Sequence, residues 1–144
     1  MTLIEMMVVL TIIAVAASAT VLGIGAATRS PGAEAEARRL SSRLQSAADE
    51  AMVTDRPLAF TWDAGGYAFL RREGGTWRES EDEGHGRHRL PAGMKISMGR
   101  HVPPLLLGVD GSGVPATIGL VAGQDRWLVV YDGLVATPVA APAA

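Results

Sequence analysis

The chain has 144 residues, room for one domain and an additional segment. Its formal net charge of −2, with 19% charged residues, gives no bias toward nucleic acid or anionic lipid. It contains no cysteine, which excludes a disulfide framework and thiolate chemistry. Aromatic residues make up only 5%, so a core must rest on Leu, Val, Ile and Ala.

The first element is apolar. From Met6 to Thr28 no residue is charged, and as a helix this stretch rises about 34 Å, enough for a hydrocarbon core of about 30 Å. A cleaved signal peptide would want a basic start and an apolar run of only about 7–15 residues. Here the earliest charge is Glu5, and the run is longer. A buried core helix is the other rival, but little sequence remains to wrap it. The length predicts a membrane-embedded helix within residues 1–28. Arg29 follows it and no Lys or Arg precedes it, so the positive-inside rule alone would put the C-terminal side in the cytoplasm.

Glu5 stands at the start of this apolar stretch. A carboxylate at the bilayer centre costs about 2.5–3.5 kcal/mol, and less toward the edge. It could snorkel to the headgroups or favour the helix N-terminus. It could instead pair with an α-amino group, which has a pKa of about 8 and is mostly cationic at neutral pH. An amine on a neighbouring chain would fix the stagger of two parallel helices, since buried ion pairs set register better than they add stability.

Gly23 and Gly25 weaken the helix upstream of Ser30-Pro31-Gly32, where Ser30 could cap a new helix with Pro31 in its first turn. Residues 29–56 form the next segment. Ala33, Ala37, Leu40, Leu44, Ala47, Ala48, Ala51 and Met52 recur at three and four, one narrow stripe suited to docking on a small β-sheet. Pro57 ends the pattern.

Residues 57–137 read as strands. Leu58, Phe60 and Trp62 alternate, Asp63 to Gly66 turn, and Tyr67 and Phe69 alternate again, which predicts a hairpin. Gly74-Gly75 predicts another turn, with Trp77 beyond it. Further strands are predicted at Met94–Met98, Leu105–Val109, Ala116–Val121 and Trp127–Tyr131. Residues 138–144 are Pro/Ala-rich and predict a loose tail. A helix followed by strands implies an α+β domain with an antiparallel sheet.

Catalytic patterns are lacking. His85 and His88 are three apart but lie in a charge-balanced stretch, Arg71 to Arg89, that reads as a solvated loop, so no metal site is expected. Glu79 to Gly84 lacks the ligand pattern of a calcium loop. Asp110-Gly111 reads as a β-turn, with no phosphate-loop lysine after it. No nucleophile-elbow pattern is evident, and no cofactor is implied.

The stretch "TLIEMMVVLTIIAV" closely resembles the mature N-terminus of type IV pilins and type II secretion pseudopilins. Thr2, Leu3, Ile4 and Glu5 match that family's prepilin motif position for position. Met1 stands where the family has Phe, either as an unusual first residue of the processed form or because a leader is missing from the start. "ARRLSSRLQSAADEAMVTDRPLAFTWDAGGYAFLRREGGTWR" looks like the minor pseudopilins of the GspH type and the related FimT/FimU minor pilins. Asp110 and Gly111 match that group's later turn, while its preceding Phe and Pro are absent.

The resemblance implies a pilin-like fold, in which one long N-terminal helix has a membrane half and an amphipathic half and packs on a C-terminal antiparallel β domain. It implies an N-methylated amine on Met1, exposed by a prepilin peptidase, and pairing of Glu5 with that amine on an adjacent subunit. It also implies a single-pass protein of the bacterial inner membrane with its C-terminal domain in the periplasm. The function implied is that of a non-enzymatic minor pseudopilin, whose filament helps drive folded exoproteins through the outer-membrane secretin. Its partners would be the major pseudopilin, other minor pseudopilins and the inner-membrane assembly platform. The alternative is a minor pilin of a type IV pilus. A DNA-uptake role is disfavoured, because Arg126 is the only basic residue after His101, against Asp110, Asp125 and Asp132.

Overall fold

The computed structural model describes residues 2–27 and 32–142, and the side chains of 2–15 and 32–142. The chain divides into two compact units, Met1–Ser30 and Pro31–Ala144.

The first unit is helix α1, Leu3–Ala27, which runs through Gly23 and Gly25. Its described side chains are apolar around the whole circumference, apart from Glu5 and Thr11. The Thr11 hydroxyl donates back to the Met7 carbonyl at 2.8 Å. Among the described residues, no helix is long and apolar enough to cross a membrane.

The second unit opens with α2, Ala33–Thr54. Gly32 holds its N-cap position in extended conformation, with no side-chain cap. The expected cap Ser30 and first-turn Pro31 lie outside the described residues. So does the junction that a single continuous helix would need. Asp55 closes α2 in the left-handed region (φ 52°), and Arg56 N–H donates to the Ala51 carbonyl at 3.2 Å.

Among the described residues nine strands follow: β1 Leu58–Asp63, β2 Gly66–Glu73, β3 Thr76–Glu79, β4 His88–Arg89, β5 Met94–Ser97, β6 Leu105–Leu107, β7 Ala116–Ala122, β8 Asp125–Tyr131 and β9 Ala136–Ala140. They form two antiparallel sheets where the sequence suggested one. The first has the order β3-β2-β1-β6, with β4 also paired to β2; the second has the order β5-β7-β8-β9. The β2–β3 turn is Gly74-Gly75, both at positive φ (57° and 83°), which suits the twist of a two-residue hairpin. Pro138 lies in β9, so the expected loose tail from residue 138 is strand through Ala140. β9 is an edge strand, the position where a residue without an N–H is tolerated.

α2 packs on both sheets through the predicted stripe. Ala33, Ala37, Leu40, Leu44, Ala47, Ala48 and Ala51 are buried, while Met52 is exposed. Small alanines let the helix approach closely. Leu40 and Leu44 then reach Phe60, Phe69, Leu107, Ile118 and Val129 in one shared core. Phe60 organises its aromatic part, with ring centroids 5.7, 5.6 and 5.4 Å from Trp62, Tyr67 and Phe69.

Candidate assembly site

Thr2 precedes the first helical residue of α1 and occupies its cap. Its carbonyl accepts from the N–H groups of Glu5 (3.1 Å) and Met6 (3.3 Å). The Glu5 carboxylate reaches back and accepts the Thr2 N–H at 3.4 Å. This is one half of a Thr-x-x-Glu capping box, a local reason for an acid at this position beyond its place at the edge of the apolar run. Leu3 and Ile4 are exposed at 81% and 71%, so within this unit the motif is an open apolar surface carrying one carboxylate. Met1 lies outside the described residues.

A second cluster joins α2 to the segment between β3 and β4. Glu36, Arg43 and Glu50 recur every seven residues and so form one line along the helix. Glu36 is only 1% exposed. Its Oε2 lies 2.8 Å from His88 Nε2, and its Oε1 lies 3.4 Å from Arg39. Strand register explains why His88 arrives there. It sits directly opposite Tyr67, whose ring faces the core, and opposed residues share a face. Gly66, beside Tyr67, permits the approach: a Cβ there would lie 2.1 Å from the His88 carbonyl oxygen.

Arg43 donates from Nε to the Gly84 carbonyl at 2.7 Å and from a terminal amino group to the Gly86 carbonyl. Its guanidinium lies over the Tyr67 and Phe69 rings at 5.4 and 5.7 Å. Glu50 meets His85 Nδ1 at 3.2 Å and Arg71 at 2.7 Å, and Arg71 also holds Asp82 at 2.8 Å. Hydrogen bonds to Asp82 and Glu50 outweigh burial and raise the Arg71 pKa above its ordinary value. Burial pushes the Tyr67 hydroxyl up, opposed by the charge of Arg43.

The stretch expected to be a solvated loop is therefore strapped to the helix, and His85 is buried. The two histidines go to separate carboxylates rather than converging. Among the described residues, no group of three or more His, Cys, Asp or Glu could hold a metal ion. Asp110 forms the expected turn, its carboxylate accepting the Ser112 N–H at 3.0 Å beside Gly111 at φ 77°.

A helix laid across two antiparallel sheets gives the second unit an α+β architecture. Solved structures it is similar to include those of the minor pseudopilin EpsH from the type II secretion system of Vibrio cholerae. One matches with a TM-score of 0.66 at 18% identity, over 76% of this chain and 98% of that one. A crystal structure of the same protein matches with a TM-score of 0.65 at 16% identity, over 78% and 96%. No family model and no curated protein sequence matches this chain.

Proposed function

We propose that this protein is a non-enzymatic structural subunit, a minor pseudopilin of a type II secretion filament. The observation that carries the reading is Glu5, the only charged residue in the described part of α1, set four positions into a prepilin-like start. The similarity of its fold to solved minor pseudopilin structures supports it.

In this reading α1 is held in the bacterial inner membrane until assembly, with the second unit in the periplasm. A prepilin peptidase exposes the amine of Met1, which is then methylated. On assembly, the Glu5 carboxylate of one subunit accepts the cationic amine of the next. In a low-dielectric helix bundle, a misplaced pair would leave a bare charge, so the pair dictates axial stagger. Repetition of one head-to-tail contact that does not close yields a fibre. The fibre partners are the major and other minor pseudopilins, together with the inner-membrane assembly platform, and the fibre acts on folded exoproteins at the secretin. The same anchor would serve a minor pilin of a type IV pilus. What favours secretion is that the similar solved structures are type II secretion subunits.

The test is Glu5→Leu in producing cells. The variant is expected to enter the membrane fraction normally and to be lost from sheared filaments. Normal incorporation would refute the proposal.

A further inference from the structure

His85 is buried in a segment whose preceding residues, 81–84, are all exposed. The backbone carries it inward. Its carbonyl accepts the Phe69 N–H at 3.1 Å, and its own N–H donates to the Asp82 carbonyl at 3.0 Å. The ring stands edge-on to Phe69, with centroids 5.5 Å apart. Nδ1 faces a carboxylate, Glu50 Oε2 at 3.2 Å. Nε2 is buried, and among the described residues it meets no hydrogen-bond partner.

The charges that face this ring already balance. Glu50 and Arg43 approach from α2, Arg71 from β2, and Asp82 from the segment itself, two carboxylates against two guanidinium groups. Arg71 lies 2.7 Å from Glu50 and 2.8 Å from Asp82, nearer than His85 is to Glu50. The Arg43 guanidinium rests 5.7 Å from the centre of the same Phe69 ring that His85 touches. Glu81 and Glu83 are exposed, where water screens their charge. A proton added to the closed His85 ring is therefore a buried surplus charge, and its Nε2–H has no acceptor. Both cost free energy. Exposure to water removes both costs.

We infer that residues 80–87 form an acid-released strap, with His85 as its proton-sensitive group. In the closed strap the ring is neutral and carries its one proton on Nδ1, the side that faces Glu50. Closure is complete above about pH 6.5, where a free imidazole is neutral, and weakens as pH falls below that value, because only the open strap takes the second proton freely. His88 behaves differently. Its Nε2 lies 2.8 Å from the buried Glu36 carboxylate, so an added proton finds a partner and β4 stays on β2. Release frees the Gly84 and Gly86 carbonyls from Arg43 and uncovers the Phe69 ring. The opening is local. The sheets stay folded, and the thermal midpoint of the whole unit is left to the aspartates that titrate lower. The inference does not depend on the assembly reading, since every group it uses lies in the second unit.

The experiment follows backbone N–H exchange of residues 80–87 in the full chain in detergent, corrected for the intrinsic effect of pH. Opening should increase at least about tenfold between about pH 7.5 and pH 5, while the strands β7 and β8 stay protected. His85→Phe keeps a ring against Phe69 and cannot take a proton, so its opening should not change with pH. His88→Gln should keep the response of the parent. Opening that is independent of pH in the parent, or a response that survives in His85→Phe, would overturn the inference. Nitrogen NMR of the His85 ring in the parent gives a test that needs no variant. A neutral ring protonated on Nδ1 at about pH 7.5 is expected; an imidazolium in a strap that is still protected at about pH 5 would also overturn it.

Discussion

Glu36 Oε2 and His88 Nε2 stand 2.8 Å apart across 52 positions of sequence, and the glutamate is almost wholly buried. This contact ties the start of α2 to the short strand β4. Removing one partner of a buried pair leaves the other desolvated without compensation, at a cost of about 3–5 kcal/mol. Glu36→Ala should therefore destabilise the second unit by about 3 kcal/mol, whereas the apolar pair Glu36→Leu/His88→Leu should recover much of that loss. Urea unfolding of the parent, Glu36→Leu, His88→Leu and the double variant in a double-mutant cycle measures the coupling.

Arg43 holds the Gly84 and Gly86 carbonyls with different nitrogens of one planar group, while its flat face rests on Tyr67 and Phe69. A lysine offers a point charge and no such fork. Arg43→Lys should loosen residues 80–89 and leave the sheets intact. Limited proteolysis is the readout: cleavage between 80 and 89 should accelerate roughly tenfold, the equivalent of about 1.4 kcal/mol of lost protection. Unchanged cleavage would mean that the strap does not depend on the fork.

The acid limb of stability should carry the signature of turn-capping aspartates. Hydrogen bonds from Val135 and Leu134 lower the Asp132 pKa from its ordinary 3.8, and bonds from Ser112 lower that of Asp110. Hydrogen bonding by Arg87 and by Arg71 does the same for Asp63 and Asp82. A depressed folded pKa stabilises the fold above the unfolded value and stops doing so as pH falls through the folded value. The thermal midpoint should therefore hold down to about pH 4 and fall below it. These carboxylates are exposed, so each contributes modestly. Asp132→Asn should flatten the slope between about pH 4 and pH 2 slightly, as followed by circular dichroism.

What the sequence made legible was local. The α2 stripe, the Gly74-Gly75 hairpin and the strands at β1, β2, β5, β7 and β8 follow from periodicities of 3.6 and 2 and from turn residues. The partition into two sheets was hidden because strand pairing is long-range. β6, for example, joins β1 across the intervening strands β2 to β5. β9 was hidden because Pro138 reads as a breaker, and only its place at a sheet edge makes it harmless. The strap was half legible. The Glu36–Arg43–Glu50 spacing put three charges on one helical line, but nothing local said that His88 and His85 would come to meet it. The Thr2–Glu5 cap is legible as Thr-x-x-Glu, but the same acid also marks the edge of an apolar run, which hides its local role.

That cap makes Glu5 a residue with two separable roles. In the structure its carboxylate accepts the Thr2 N–H at 3.4 Å; in the proposed filament it must also balance a cationic amine. Glutamine keeps a carbonyl oxygen for the Thr2 N–H and removes the charge. Glu5→Gln should leave the start of α1 helical, with backbone N–H exchange at Glu5 and Met6 as slow as in the parent chain in detergent. It should nevertheless reduce filament incorporation nearly as far as Glu5→Leu does. If the glutamine variant assembled as well as the parent, the carboxylate would matter for capping alone and stagger would be set elsewhere. If instead both variants lost helix protection together with assembly, the defect would lie in the fold of α1 rather than in an ion pair between subunits.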